Sequence, residues 1–200
     1  MNFATIEQAC QMLIRAAEHD MITRSKLEKA GLLRSNKYNP RMREVHEQNA
    51  ILLQNFLMHY GWPMPSQFGR KVHKSAWLIA IHAISMPSVL HQALDNMKEA
   101  LKNGDSVALE YAKLYDRIGL YEGKGQYYGT QFFPSPDGWY ARDLIGPEHI
   151  DDRRAQLGLN SFADGKKECG ADKGGIITLK EMEQEEINFT AFLKEYGWRS

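Results

Sequence analysis

The sequence predicts a mainly α-helical chain, a single-domain multi-helix bundle with a central buried helix and a small β-hairpin or an ordered loop near residues 126–144. Apolar residues recur at three- and four-residue steps over most of the chain, and helix start and stop signals separate these repeats. A chain of 200 residues fits one domain. We predict a helical domain over residues 1–160, a loop or linker over 161–175, and a C-terminal helix over 176–200 that packs on the domain or on a partner.

The first helix is predicted from an apolar face and a start signal. Thr5 followed by Gln8 fits a capping box, in which the two side chains bond the backbone of the first turn. A second, shorter helix is expected from about Thr23 to Ala30, where Gly31 ends it. The apolar face of the first helix comprises Phe3, Ile6, Cys10, Leu13, Ile14 and Ala17.

Asparagine, proline and glycine set the bounds of the next helix. Asn39 suits the N-cap position and Pro40 the first helical position, whereas Gly61 suits the left-handed position that ends a helix. Pro63 and Pro65 prevent the helix from continuing.

The segment from about Arg70 to Ser85 is apolar nearly all round, which predicts the central, buried helix. A buried strand is the alternative, but the length of the segment and its alanines favour a helix. Pro87 ends this segment, and a further helix follows that stops at Asn103. The next helix is expected from about Asp105 to Gly119.

The chain then changes character. Residues 121–146 are rich in glycine, aromatic residues and proline, and Pro134–Gly138 carries a turn signal between two aromatic runs. A short helix is expected over Pro147–Leu157. The last helix begins with a second capping box, Thr178 with Glu181, and ends at Tyr196-Gly197-Trp198. Glu186 interrupts its apolar face.

Composition and charge exclude several classes of protein. Basic and acidic residues number 25 each, which argues against nucleic-acid binding because that needs an excess of cations. The longest apolar run, Ala76–Ile84, is too short for the roughly 18 residues that span a membrane. The two cysteines, Cys10 and Cys169, indicate a reducing compartment. We therefore expect a cytoplasmic protein with no membrane contact, no cofactor and no metal site.

His82 is the first predicted catalytic residue. It lies inside the most apolar stretch of the chain, where a buried imidazole needs partners for its ring nitrogens. Burial favours the neutral imidazole, which can accept a proton near pH 7. The alternative is a core histidine that is bound to a backbone carbonyl.

Asp116 and Arg117 are the other predicted catalytic residues. They follow an apolar helix face near its C-terminal end, where a carboxylate sits at the unfavourable end of the helix dipole. A cation, a partner arginine or a bound ligand would account for an acid at that place. The alternative is a surface ion pair without a functional role.

Uncharged polar and aromatic side chains surround Gly129, which suits hydrogen bonding to a ligand that approaches the backbone closely. We predict Gln126, Tyr128 and Gln131 as substrate-binding residues, with a packed structural loop as the alternative. Arg154 is added to this set because an arginine can clamp a carboxylate or phosphate, although a solvated helix face is the alternative there.

Three short runs follow one another in this part of the chain. They are Asp116-Arg117-Ile118, Gly123-Lys124-Gly125-Gln126 and Tyr128-Gly129-Thr130-Gln131. Together they resemble the signature of an uncharacterised bacterial family, a domain of unknown function, over residues 40–160. Further matches are Gly61-Trp62-Pro63, Gly69, and Asp152-Arg153-Arg154 followed by Leu157-Gly158-Leu159.

In that family a Gln-His-Ala-Asp element precedes the other runs. Here the corresponding stretch is Ile81-His82-Ala83-Ile84, which keeps the histidine and lacks the flanking glutamine and aspartate. If the family's aspartate is a general base, the resemblance implies a binding-only relative. The resemblance also implies that one set of residues belongs together in a site: His82, Asp116, Arg117, Gln126, Tyr128 and Gln131.

We therefore predict an enzyme, or a derived enzyme, that uses a polar pocket of His, Asp and Arg on a small polar or anionic molecule. His82 serves as the acid–base group, Asp116 orients it or binds substrate, and Arg117 neutralises an anionic group. The alternative is a non-catalytic module for a peptide or protein, with the C-terminal helix as a contact for a partner or a homo-oligomer. A metalloenzyme is a third hypothesis.

Overall fold

The computed structural model describes residues 3–33, 38–104, 107–171 and 177–200. The chain forms two compact units, Met1–Val107 and Ala108–Ser200. Helices dominate the described residues and a two-stranded sheet accompanies them, so the predicted mainly α-helical fold is confirmed. The division at residues 160 and 175 stays a prediction.

The described part of the N-terminal unit is built from helices, and the first two start at the predicted capping signals. The helices are α1 (Ile6–Lys29), α2 (Pro40–Tyr60), α3 (Pro65–His82) and α4 (Pro87–Lys102). Thr5 Oγ1 accepts a hydrogen bond from the backbone N–H of Gln8 at 3.1 Å. Asn39 Oδ1 accepts one from the backbone N–H of Arg41 at 3.0 Å. The predicted starts of α1 and α2 are therefore confirmed.

Helix α1 is continuous across the predicted gap after Ala17. Its buried face runs on through Asp20, Thr23 and Leu27, all at helical spacing. The prediction of a separate helix from Thr23 was wrong, because polar residues occupy core-facing positions and break the apolar pattern without breaking the helix.

Helix α3 is the predicted central helix, since it contacts α1, α2 and α4. Its buried residues include Val72, Ala76 and Ile79. The helix bends at Gly69, which has a φ of 80°, and it ends at His82 rather than at the predicted Ser85. Within the described residues, no helix is long and apolar enough to cross a membrane.

The C-terminal unit combines helices with the predicted β-hairpin. Its elements are α5 (Ala108–Tyr121), β1 (Phe133–Ser135), β2 (Gly138–Tyr140), α6 (Ile150–Gln156), α7 (Phe162–Glu168) and α8 (Leu179–Glu195). The strands pair antiparallel with Ser135 opposite Gly138, which leaves Pro136 and Asp137 as the turn. The hairpin is confirmed, whereas the predicted start of α5 at Asp105 lies outside the described residues.

The loop predicted over residues 161–175 contains the short helix α7, so the prediction was wrong for this part. Ser161 caps the helix by accepting a hydrogen bond from the backbone N–H of Asp164 at 3.1 Å. A helix of this length is too short to show a full apolar repeat, so the apolar pattern did not predict it. Its capping residue is the local signal for it. Residues 172–175 of the predicted loop lie outside the described residues.

Helix α8 begins and ends at the predicted signals. Thr178 and Glu181 form a complete capping box, with the Glu181 carboxylate accepting from the Thr178 backbone N–H at 2.8 Å. At the other end, the backbone N–H of Trp198 donates to the carbonyl of Leu193 at 2.8 Å. The buried indole of Trp198 packs edge-on against Tyr121, with ring centroids 4.9 Å apart.

Glu186, which interrupts the apolar face of α8, pairs with the guanidinium of Arg142 next to the hairpin. The two groups form a bidentate contact, in which one bond, from Nη2 to Oε1, measures 2.9 Å. The same guanidinium lies 5.4 Å from the ring centroids of both Phe133 and Phe189. The charge therefore holds α8 on the hairpin by an ion pair and two cation–π contacts.

Candidate functional site

Three helices of the N-terminal unit each place one polar side chain at a common point. Asp20 lies on α1, His46 lies on α2, and His82 is the last residue of α3. Oδ2 of Asp20 lies 2.9 Å from Nδ1 of His82 and 3.3 Å from Nε2 of His46. We call these three residues the Asp20 triad.

The carboxylate of Asp20 is fully buried and only partly satisfied. Oδ2 is hydrogen-bonded to His82, whereas the contact with His46 lacks hydrogen-bond geometry. Within the described residues, Oδ1 of Asp20 and Nε2 of His46 have no hydrogen-bond partner. Burial would raise the pKa of Asp20, but the two imidazoles outweigh burial and hold that pKa below its ordinary value. The acid is therefore ionised at neutral pH with one oxygen unused.

A hydrogen bond behind His46 and the contact between the two imidazole rings fix the geometry of the triad. The hydroxyl of Tyr38 lies 2.5 Å from Nδ1 of His46, the nitrogen that faces away from Asp20. The rings of His46 and His82 lie almost face to face, with centroids 4.8 Å apart and planes inclined by 33°. Both imidazole planes are thus held relative to the carboxylate.

His82 is the member of the triad that reaches solvent. Its side chain is 19% exposed, whereas that of Asp20 is 0% exposed. Nε2 of His82 has no hydrogen bond to any described residue.

Asp116 on α5 is also fully buried, but its carboxylate is saturated. Oδ1 accepts hydrogen bonds from the backbone N–H groups of Tyr127 at 2.7 Å and Tyr128 at 2.9 Å. Oδ2 accepts from the backbone N–H and the hydroxyl of Thr130, both at 2.8 Å. Burial raises the pKa of Asp116, and these four bonds counteract that effect. Asp116 therefore organises residues 126–131, which we call the Asp116 loop.

Side-chain amides close the Asp116 loop from within. Nε2 of the buried Gln126 donates to the carbonyl of Arg142 at 2.8 Å, and its Oε1 accepts from the backbone N–H of Gln131 at 2.8 Å. The amide of Gln131 donates in turn to the carbonyl of Lys113 at 3.2 Å. Arg117 reaches Oε1 of Gln131 only at 3.3 Å, which is a long hydrogen bond.

Two buried arginines bind the outside of the same loop. Arg153 donates to the carbonyl of Tyr127 at 2.6 Å, and its guanidinium lies 4.4 Å from the centroid of that residue's ring. Arg154 donates to the carbonyl of Tyr128 at 2.9 Å and twice to Asn160, at 2.7 and 2.8 Å. The guanidinium of Arg154 is thus bonded to neutral oxygens of the fold.

The predicted site residues fall into both units. The C-terminal unit contains Asp116, Arg117, Gln126, Tyr128, Gln131 and Arg154, which the structure brings together around the Asp116 loop. The N-terminal unit contains His82, whose hydrogen-bonding partner is Asp20. The prediction that His82 shares one site with Asp116 and Arg117 stays a prediction.

The sequence reasoning missed Asp20 and His46. The signal for Asp20 was its position three residues after Ala17 on the apolar face of α1, where an acid needs a partner. His46 stands next to the buried Val45, and its distance along the chain from Asp20 and His82 fits no local motif.

The model of one protein family, described as a family of unknown function (DUF6624), matches residues 7–168. This range includes the Asp20 triad and the Asp116 loop, and it ends before α8. The resemblance to a domain of unknown function is thereby confirmed. Comparison with curated proteins and with solved structures gave no match.

Gly129 provides a test of how tightly the Asp116 loop is packed. A Cβ there would meet Ile150 at 2.5 Å and Phe162 at 2.7 Å, so the close approach at Gly129 is to side chains of the protein. Gly158 is a matched control because its φ of +68° is close to the +65° of Gly129 and nothing lies within 4 Å. Both alanine variants should lose about 1–2 kcal/mol for the left-handed backbone. Gly129→Ala should lose about 1–3 kcal/mol more from overpacking.

Urea denaturation of the full chain measures this difference. Equal losses in Gly129→Ala and Gly158→Ala would contradict the tight packing of the loop.

Asp116→Asn should destabilise the chain strongly. The amide has one acceptor oxygen, so two donors of the Asp116 loop would face an NH₂ group, and each buried group left without a partner costs about 1–3 kcal/mol. Asp137→Asn, in the exposed hairpin turn, is the control and should change stability by less than about 0.5 kcal/mol. Thermal and urea unfolding of both variants would test this. If Asp116→Asn is as stable as Asp137→Asn, the carboxylate does not hold the loop.

Proposed function

The chain belongs to this family of unknown function, and we propose an activity for it from the geometry of its site. The proposed activity is that of an enzyme that activates a small polar or anionic molecule by proton transfer at the Asp20 triad. One observation carries the proposal: a fully buried carboxylate contacts two imidazoles, one of which reaches solvent. Perturbed titratable groups that are held together at a surface are typical of catalytic sites.

The chemistry of the triad suits proton transfer. The negative charge of Asp20 stabilises positive charge that forms beside it, because the carboxylate is buried and its interactions are weakly screened. A carboxylate that accepts a hydrogen bond from an imidazole also fixes the orientation of that ring, as in the Asp–His pairs of hydrolases. Asp20 is therefore assigned the orienting role that the sequence analysis gave to Asp116.

The burial of the triad limits the substrate. Asp20 and His46 are covered, so a substrate can meet only the exposed edge of His82. This restricts the reacting group to a small one. A centre that gains positive charge on taking up a proton favours a polar or anionic substrate.

The hydrogen bond between His82 and Asp20 bears on the core-histidine alternative and on the aspartate that is missing at position 84. A core histidine would be bonded to a backbone carbonyl and sealed from solvent, whereas His82 is bonded to a carboxylate and partly exposed. Position 84 carries isoleucine where the resembled family has aspartate, and Asp20 supplies His82 with a carboxylate in its place.

The enzyme proposal predicts that His82→Gln loses turnover. Purified full-length protein would be assayed against a panel of small esters, phosphoesters and amides. Turnover by the wild type should fall about 10²–10⁴-fold in His82→Gln, the usual contribution of an acid–base group. His149→Gln is the control, because His149 is exposed in the other unit and should leave turnover unchanged.

Circular dichroism would establish that both variants are folded. Full turnover in a folded His82→Gln variant contradicts the proposal. A wild type without turnover across the panel favours the following function instead.

A second candidate function is the binding of a peptide, and it rests on a groove in the C-terminal unit. The groove has a volume of 1110 Å³ and lies between the hairpin and α8. Its walls carry the exposed Leu179 and Ile187 together with Phe133. Exposed apolar surface of this kind is typical of binding sites for other chains.

Acidic residues that line the groove indicate the kind of partner that it would bind. Glu183 and Glu185 line it, and within the described residues neither forms an ion pair, whereas Glu186 is paired with Arg142. An amphipathic helix with apolar and basic faces complements these walls, since its cations would meet the acids while its apolar side chains fill the groove.

The groove predicts binding of a synthetic amphipathic helix made of leucine and lysine. Fluorescence anisotropy should show saturable binding that weakens with salt, because the paired charges are exposed. Ile187→Lys should abolish binding, since Ile187 is 62% exposed in the groove. Met58→Lys is the control, because Met58 is equally apolar and 63% exposed on α2. Equal binding by both variants contradicts a role for the groove.

A further inference from the structure

We infer that the Asp20 triad binds one divalent transition-metal ion, either zinc or iron(II). This inference rests on the proposed function and assigns a metal ion to the same site. The sequence predicts no metal site, because its histidines show no zinc-protease or zinc-finger spacing. Residues 20, 46 and 82 are far apart in the chain. The fold brings one ligand atom of each residue to within 4.8 Å of the others.

The types of donor atom select the ion. Two imidazoles and one carboxylate suit zinc and also match the two-histidine, one-carboxylate set of non-haem iron(II) sites. Calcium and magnesium take oxygen ligands almost exclusively and would leave the two imidazoles unused. The site is therefore one for a transition metal.

Two of the three distances between ligand atoms are close to those around a common ion. Two ligands that each lie about 2.0–2.1 Å from a tetrahedral ion are about 3.3 Å apart. Oδ2 of Asp20 lies 2.9 Å from Nδ1 of His82 and 3.3 Å from Nε2 of His46, close to that spacing. The three atoms belong to three packed helices, which limits the movement needed to receive the ion.

Unsatisfied atoms provide independent support. Nε2 of His46 lies close to the carboxylate without hydrogen-bond geometry, and Oδ1 of Asp20 has no hydrogen-bond partner within the described residues. A buried donor or acceptor without a partner lowers the stability of the folded chain. Such atoms therefore indicate a ligand that they bind in another way, such as a metal ion. An ion placed among the three side chains would coordinate His46 Nε2 and the carboxylate of Asp20, and it would replace the hydrogen bond between that carboxylate and Nδ1 of His82.

The surroundings of the triad also match those of a metal site. Imidazoles that bind metals have their second nitrogen held by a hydrogen bond, and the Tyr38 hydroxyl holds Nδ1 of His46. Three protein ligands leave a coordination position for water, and the partly exposed His82 marks the side from which water enters. A bound ion lowers the pKa of such a water towards about 7, so this water would exchange the proton in the proposed reaction.

The test uses the full chain, purified without chelator and analysed by elemental mass spectrometry. We expect about one zinc or iron ion per chain. After removal of the ion with EDTA, titration with ZnCl₂ should show one site and raise the melting temperature, because the ion binds the folded state. CoCl₂ should give the visible spectrum of a histidine-coordinated ion.

Variants assign the site to the triad. His82→Gln should weaken Zn²⁺ binding at least about 100-fold, since loss of a second-shell partner alone costs about 10–100-fold. Tyr38→Phe should weaken it about 10-fold. His149→Gln is the matched control and should have no effect, because His149 is an exposed histidine beside acids in the other unit. The partly exposed His82 is varied because a change at the fully buried Asp20 could unfold the chain.

No saturable Zn²⁺ binding by the wild type, or binding that His82→Gln leaves unchanged, overturns the inference. The two proposals fail separately. Turnover that persists after EDTA treatment in a chain that binds no Zn²⁺ rejects the ion and keeps the enzyme. Binding of Zn²⁺ at the triad without turnover of any substrate in the panel keeps the ion and rejects the enzyme.

Discussion

The burial of carboxylates is the constraint on which both units depend. Asp20 and Asp116 are fully buried, and a buried negative charge costs several kcal/mol unless neighbouring groups compensate it. Asp20 requires α2 and α3 to bring an imidazole each to α1. Asp116 requires the loop after α5 to turn back and point its backbone N–H groups at the acid. Each acid therefore decides which segments of its own unit come together.

The two acids are compensated in different ways, and the roles proposed for them rest on this difference. Asp116 has a donor for every hydrogen bond that its geometry allows, all from its own loop, and the arginines around that loop bind carbonyl oxygens. Asp20 keeps a bare oxygen next to an unsatisfied nitrogen of His46. Natural proteins satisfy nearly all buried polar atoms, so the unsatisfied pair supports the proposal that a ligand binds there.

Much of the fold followed from local signals in the sequence. The caps at Asn39 and Thr178, the stop at Gly61 and the hairpin turn before Gly138 are each decided by a few adjacent residues. The helix α7 was missed because its seven residues are too few to show an apolar repeat.

The candidate site was predictable only in part. His82 was found because an imidazole in an apolar run needs a partner, but the partner lies 62 positions away in the chain. Helical spacing alone gave no reason to associate Asp20 with it. Asp116 was also singled out, and its position near a helix end suggested a cation or a ligand, whereas its partners are backbone N–H groups.

Helix α8 is less deeply buried than α5, so we expect the two helices of the C-terminal unit to differ in local stability. Helix α8 buries Leu193 as its one fully covered residue in the described range, whereas α5 buries seven. In the ion pair with Arg142 the side chain of Glu186 is 47% exposed, and exposed pairs contribute about 0–1 kcal/mol. Lifting α8 away would therefore need far less free energy than unfolding α5. In that minor population Phe133 would lose the part of its cover that Phe189 provides, so the hairpin would present more apolar surface than it does in the average structure.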